Sequence, residues 1–212
     1  RGNLQEVALN RDVINQNNWV FSHEIEEKPS ITDQARSGTC WLFAELNWIR
    51  TMTMKKFKME DLEFSENYLM FFDKLEKANY YLEKLMGMLD RDIDDRRVRF
   101  IIDSPTPDGG EWHMFVNLAK KYGVVPKEVM PCTWNREHSQ FINKLVGYKI
   151  REAFAKMREM AENKKSQDEL RKYKTSIMAE IYRILTTCMG VPPKAFDWSF
   201  KDKDKEYHQE IS

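Results

Sequence analysis

Two long stretches carry apolar residues at helical spacing, and they restrict the possible folds of this chain more than any other feature. Ile142, Leu145, Val146, Ile150, Phe154 and Met157 make one stripe, and Leu170, Tyr173, Ile177, Ile181, Ile184, Leu185 and Cys188 make the other. Ser166 and Glu169 stand in capping-box spacing ahead of the second stripe, and Gly190, Pro192 and Pro193 stop it. A polar turn lies between the two. The pattern therefore predicts an antiparallel helical hairpin over residues 136–190.

The remaining segments predict further helices and one strand. Helical spacing of Leu42, Leu46 and Ile49 begins at Thr39, just after Ser37 and Gly38 break the chain, so Cys40 falls in the first turn of a helix. A second helix is expected over residues 65–89, where Tyr68, Phe71, Phe72, Tyr80 and Tyr81 read as core packing. Residues 90–99 are a charge run, expected as a solvated loop or helix edge. Pro105, Pro107, Gly109 and Gly110 form a loop; Trp112, Phe115, Val116 and Ala119 then define one helix face, which Gly123 caps and Pro126 ends. Near the end Phe196, Trp198 and Phe200 alternate like a strand, with no partner strand expected within the chain. Residues 1–30 are polar and Asn-rich, with Trp19, Val20 and Phe21 as the dense apolar spot, and read as an arm or loop laid over the domain.

Composition excludes several function classes. Of 212 residues, 42% are hydrophobic and 32% charged, enough apolar content for a real core. Lys plus Arg and Asp plus Glu balance at 34 each, so charge gives no support for a nucleic-acid or anionic-membrane partner. No apolar run has the length of a membrane span, and the first residues lack the pattern of a signal peptide. Three scattered cysteines, Cys40, Cys132 and Cys188, fit neither a disulfide framework nor a zinc site, which makes a reducing, cytoplasmic setting the default. The chain starts at Arg1 rather than Met, and the true N-terminus is expected upstream.

The stretch Ser37-Gly38-Thr39-Cys40-Trp41 carries the chemistry. A thiol attacks a carbonyl as thiolate, and the first turn of a helix offers free backbone N–H groups and the positive dipole end to stabilise one. The Cys40 N–H would face the developing oxyanion, with the Gln34 side-chain amide as second donor. A cysteine among apolar residues at a helix start is also a common small buried hydrophobe, and these residues alone leave both readings open.

Gln34, Ser37, Gly38, Cys40 and Trp41 together resemble the active-site signature of the papain-like cysteine peptidases. The longer run SGTCWLFAELN resembles the bleomycin hydrolase and aminopeptidase C branch, and so do FSENYLMFFDKLEKANYYLE, DGGEWHMFVNLAKKYGVVPK and GVPPKAFDWSFKDKDKEY, in that order. The resemblance implies an α+β papain-like fold, here mainly its helical N-terminal half with a helical-hairpin insertion: an arm at 1–30, the helical half at 31–135, the hairpin at 136–190 and the start of the sheet region at 191–212. It implies Cys40 as nucleophile, Gln34 as oxyanion-hole amide, Trp41 beside the site, and Gly109 and Gly110 as backbone that a peptide substrate approaches. It also implies an aminopeptidase acting on short peptides, a homo-hexamer, and no metal or other cofactor. Two departures stand out: Glu111, Trp112 and His113 where the family has Gln-Trp-Asp, and Thr39 where it often has Arg.

A catalytic cysteine needs a base, normally His, held by a third group such as Asn. The family's Asn-Ser-Trp-Gly stretch does not occur here. His23 precedes the nucleophile, His138 and His208 sit among charged residues as solvated side chains, and His113 reads as a helix-flank residue rather than the base. The expectation is a chain that lacks the catalytic His and Asn and is inactive alone. A non-catalytic peptide-binding or oligomerisation fragment, and a half-enzyme complemented by another chain, are the alternatives.

Overall fold

The computed structural model describes residues 3–16, 20–26 and 28–211. In chain order the elements are α1 (Leu4–Ala8), α2 (Arg11–Gln16), α3 (Cys40–Phe57), α4 (Glu66–Met86), α5 (Arg96–Asp103), α6 (Trp112–Tyr122), α7 (Trp134–Glu137), α8 (Gln140–Glu162), α9 (Gln167–Met189), β1 (Asp197–Lys201) and β2 (Tyr207–Ile211). Helix α4 is the hub. It packs against α3, α5, α6, α8 and α9, and Leu69, Met70, Phe71, Ala78, Leu82 and Leu85 on it are fully buried.

The hairpin forms as its stripes require. Ile142, Val146, Ile150, Phe154 and Met157 of α8 are buried, and so are Leu170, Ile177, Ile181 and Leu185 of α9. The Ser166 hydroxyl accepts from the Glu169 N–H while the Glu169 carboxylate accepts from the Ser166 N–H, a complete capping box. Gly190 ends α9 with φ 87°, where a side chain would be strained. Ser65 caps α4 by accepting from Tyr68 N–H, and its own hydroxyl donates to the Met130 carbonyl. The charge run divides: its first part is loop, and Asp95 then caps α5, whose Val98 is fully buried.

Three expectations are corrected. The strand at Asp197–Lys201 does have a partner: β1 pairs antiparallel with β2, with Ser199 opposite Gln209. The missed signal is turn chemistry at Asp202, whose carboxylate accepts from the Asp204 and Glu206 N–H groups while Lys205 takes φ 65°. His208 is partnered while staying partly exposed: its Nε2 lies 2.9 Å from the Asp202 carboxylate and its ring stacks on Phe200. In the arm, α1 and α2 form helices, with the Asn10 side chain accepting from Asp12 and Val13 N–H. Leu4 and Val7 of α1, Val13 and Ile14 of α2, and Val20 and Phe21 beyond them are exposed rather than laid over the core; Trp19 lies outside the described residues. On α4, Tyr80 is 54% exposed, and on α6 so is much of Trp112, which stands edge-on to Trp48 and tilted against the buried Phe115.

The chain entering α3 is held by polar contacts. Buried Arg50 donates to Ser30 Oγ (2.9 Å) and to the Asp61 carboxylate (2.7 Å), and Asn47 donates to Thr32 Oγ1. Burial pushes the Asp61 carboxyl up, but hydrogen bonds from Ser30 and Arg50 outweigh it and bring it down to about 2.

Candidate active site

Cys40 opens α3 and is exposed, unlike half-buried Cys132 and buried Cys188, whose thiols burial pushes up. The helix cap is Thr39, which makes no side-chain capping bond: its hydroxyl is spent on Ser37 Oγ at 2.6 Å. No side chain therefore competes for the first-turn N–H groups beside the thiol. Gln34 Nε2 donates to the Ser37 carbonyl (2.9 Å) and Ser37 Oγ to the Gln34 carbonyl (2.8 Å), which closes the loop on itself. The reversal in this loop falls on Ala35, with φ 53°.

Gly38 is required for a different reason than a sharp turn. A Cβ there would sit 2.9 Å from the Asp108 Cβ, so the glycine makes room for the aspartate. Gly110 plays the mirror role, since a Cβ on it would collide with the Trp41 indole. The two loops thus interlock: each supplies one glycine to admit one large residue of the other. Trp41 Nε1 donates to the Asp108 carbonyl (2.8 Å) and Gly38 N–H to the Asp108 carboxylate (3.1 Å). A Cβ on Gly109, by contrast, would meet nothing within 4 Å. That position is open for close approach, and steric fit is not what demands a glycine there.

Beneath the interlock lie two buried ammonium groups of α4. Lys74 Nζ donates to the carbonyls of Thr106 and Pro107 and to the Asp108 carboxylate (2.6 Å). Lys77 Nζ donates to the Asp73 carboxylate and the carbonyls of Pro107 and Gly109, each at 2.8 Å, and lies 5.5 Å from the Trp41 ring centroid. Burial pushes the Asp108 carboxyl up, but the Lys74 charge and hydrogen bonds from Lys74, Ser139 and Asn143 hold it well below the usual carboxylate range. Asp73 goes the other way, raised by burial despite Lys77 and Lys74. Sequence reasoning missed Asp73, Lys74, Lys77 and Asp108. Their signal was present: charges at i, i+1 and i+4 inside an aromatic run that otherwise packs as core, and an aspartate directly before the glycine pair.

A cleft of about 600 Å³ opens beside Gly109, lined among others by Asp73, Lys77, Tyr80, Tyr81 and Met114. The histidines are engaged elsewhere or exposed. His23 pairs with Ser22, His138 stacks on Trp134 and bonds its carbonyl, His208 pairs with Asp202, and His113 is exposed on α6. Among the described residues no helix is long and apolar enough to cross a membrane.

A helix that opens on an exposed cysteine, its first residues interlocked with a glycine loop and backed by a helical layer, is the helical half of the papain-like α+β fold. The chain belongs to the Peptidase C1-like family, whose model matches residues 1–212. It is 40% identical over 208 residues to bleomycin hydrolase of Gallus gallus, an alignment covering 96% of this chain and 46% of that protein. Aminopeptidase W of Lactobacillus delbrueckii subsp. lactis is likewise 40% identical over 208 residues, covering 98% of this chain and 47% of that one. The crystal structure of PepW from Lactobacillus rhamnosis superposes with a TM-score of 0.91 at 38% identity, over 95% of this chain and 45% of that chain. The chain therefore spans about half the length of the curated relatives it matches, and aligns with their N-terminal half.

Proposed function

We propose that this chain carries the nucleophile of a bleomycin hydrolase-type cysteine aminopeptidase acting on short peptides. The observation that carries the reading is the interlock of Gly38 with Asp108 and Trp41 with Gly110, which fixes an exposed Cys40 at an open helix start beside a glycine loop. Cys40 attacks the substrate carbonyl, and its own N–H with the Gln34 amide takes the charge that develops on oxygen. Gln34 is positioned for this only after its Nε2, which holds the Ser37 carbonyl, also turns a hydrogen toward the substrate. Trp41 walls the site. Open Gly109, and Gly110 for its backbone, border the peptide path.

The base and its orienting Asn come from outside these 212 residues. None of the four histidines serves, and the isolated chain is inactive. The division into an arm (1–30), a helical half (31–135), a hairpin insertion (136–190) and the first part of the sheet region (191–212) belongs to this reading. So do a homo-hexameric assembly and a cytoplasmic setting with no metal. The cleft beside Gly109 favours one second reading, a peptide-binding fragment without catalysis.

The test is an assay of the purified chain on aminoacyl fluorogenic substrates under reducing conditions, alongside the longest continuous open frame containing it. The longer product is expected to turn over substrate and to lose this with Cys40→Ala, while the 212-residue chain shows none. Turnover by the short chain that Cys40→Ala abolishes would place the base within it. A longer product unaffected by Cys40→Ala would end the nucleophile reading.

A further inference from the structure

Asp108 is the most heavily bonded side chain near the thiol. Its Oδ1 accepts from Lys74 Nζ (2.6 Å) and Asn143 Nδ2 (2.7 Å), and its Oδ2 from Ser139 Oγ (2.6 Å) and Gly38 N–H (3.1 Å). Four donors fill the acceptor capacity of a carboxylate, so none remains to take a proton from substrate or water. Two of the four come from the start of the α8 hairpin. Ser139 is fully buried, and Asn143 gives its donor to Asp108 while its Oδ1 is buried without a hydrogen-bond partner. An orphaned acceptor costs about 1 to 3 kcal/mol, and this one is tolerated where the donor is committed to the aspartate. Arg36 N–H, in the same loop, donates to the Glu137 carbonyl of α7 (3.0 Å), so the hairpin's leading end holds the nucleophile loop at a second point.

We infer that Asp108 is a positioning residue for Cys40, and that Ser139 and Asn143 pass the placement of the helical hairpin to the nucleophile through it. The path is short and continuous: α8 to the carboxylate, the carboxylate to Gly38 N–H, and two residues on to the thiol. It gives the hairpin a role at the active site besides any role in assembly. The inference rests on Cys40 being the nucleophile, and it is built so that the mechanical link can fail separately.

The experiment uses the 212-residue chain with Asp108→Asn, Ser139→Ala and Asn143→Ala. Circular dichroism checks folding; Asn143→Ala and Ser139→Ala keep the Lys74–Asp108 pair, so they stay informative if Asp108→Asn unfolds. Two readouts follow: the NMR shift and hydrogen exchange of the Gly38 amide, and the iodoacetamide rate of Cys40, native over urea-unfolded. In Asn143→Ala the Gly38 amide is expected to move and exchange about tenfold faster, with amides around Ile150 unchanged. The Cys40 native-over-unfolded ratio is expected to fall about threefold or more as the helix start loosens. An effect of charge alone predicts no change in Ser139→Ala or Asn143→Ala, because neither removes a charge. Folded variants with an unchanged Gly38 amide overturn the link. A Gly38 amide that responds while Cys40 does not overturns the positioning role. A wild-type Cys40 no faster native than unfolded counts against the nucleophile reading, and the Gly38 amide then decides the mechanical link alone.

Discussion

Helix α8 buries Ile142, Val146, Gly147, Ile150, Ala153, Phe154 and Met157, all apolar, whereas α4 buries Asp73, Lys74 and Lys77 among its aromatics. The first is held by area removed from water, which is non-directional and tolerates substitution by similar volumes. The second is held by charges that stabilise only while each has its partner. The frame around Cys40 uses the second kind. Burying two ammonium groups costs solvation, and what returns is direction: six hydrogen bonds aim and fix five oxygens, four in the 106–109 loop and one on Asp73. The nucleophile site proposed at Cys40 needs that fixity more than it needs net stability.

The contrast is sharpest at Lys74. Lys74→Met leaves Asp108 buried without its cation, and is expected to cost about 3 to 5 kcal/mol in urea unfolding at neutral pH. The pH dependence has a definite sign. Asp108 has a folded value below its unfolded one of about 3.9, so its contribution is full above that pH and is lost as pH falls through the folded value. The Lys74→Met penalty therefore shrinks as pH falls below about 3.9, because Asp108 in the variant takes up a proton and no longer needs a cation. Asp73, raised in the folded state, contributes with the opposite sign: it favours the fold below its unfolded value and loses this as pH rises. A penalty that does not shrink in acid would break the comparison.

Ile150→Ala, at a fully buried hairpin position, is expected to cost about 3 kcal/mol through lost transfer energy and a cavity. No charge is uncovered, so this loss should be the same at neutral and acid pH by the same unfolding measurement. The glycine pair gives the smallest effects and separates fit from approach. Gly110→Ala forces the Trp41 ring aside and should cost about 1 to 3 kcal/mol, with a shift in indole fluorescence. Gly109→Ala meets open space and should stay within about 0.5 kcal/mol by thermal denaturation. A large stability loss there would give Gly109 a packing role and weaken its place on the peptide path.

The helical hairpin was legible because periodicity, a capping box and a Gly-Pro stop agree over residues 140–189. Cys40 at a helix start was legible from Gly38 and the spacing of Leu42 and Leu46. The second strand was not: Tyr207–Ile211 reads YHQEI, with little apolar alternation, and its pairing depends on the Asp202 turn. Nor was the frame beneath the site. Lys74 and Lys77 are ordinary solvated residues by composition, and only tertiary contacts with the carbonyls of Thr106, Pro107 and Gly109 explain their burial. Gly38 was read as a break in the chain because local pattern says what a glycine permits and not what presses against it; the side chain pressing there lies 70 residues away.

That distance changes what counts as one part of this protein. Gly38 with Asp108, and Trp41 with Gly110, are two halves of a single fitted object divided between separate segments of sequence. A graft that carries the cysteine loop into another scaffold without the glycine loop brings one socket that nothing fills and one indole with nowhere to go. The smallest transferable unit here is the pair of loops together.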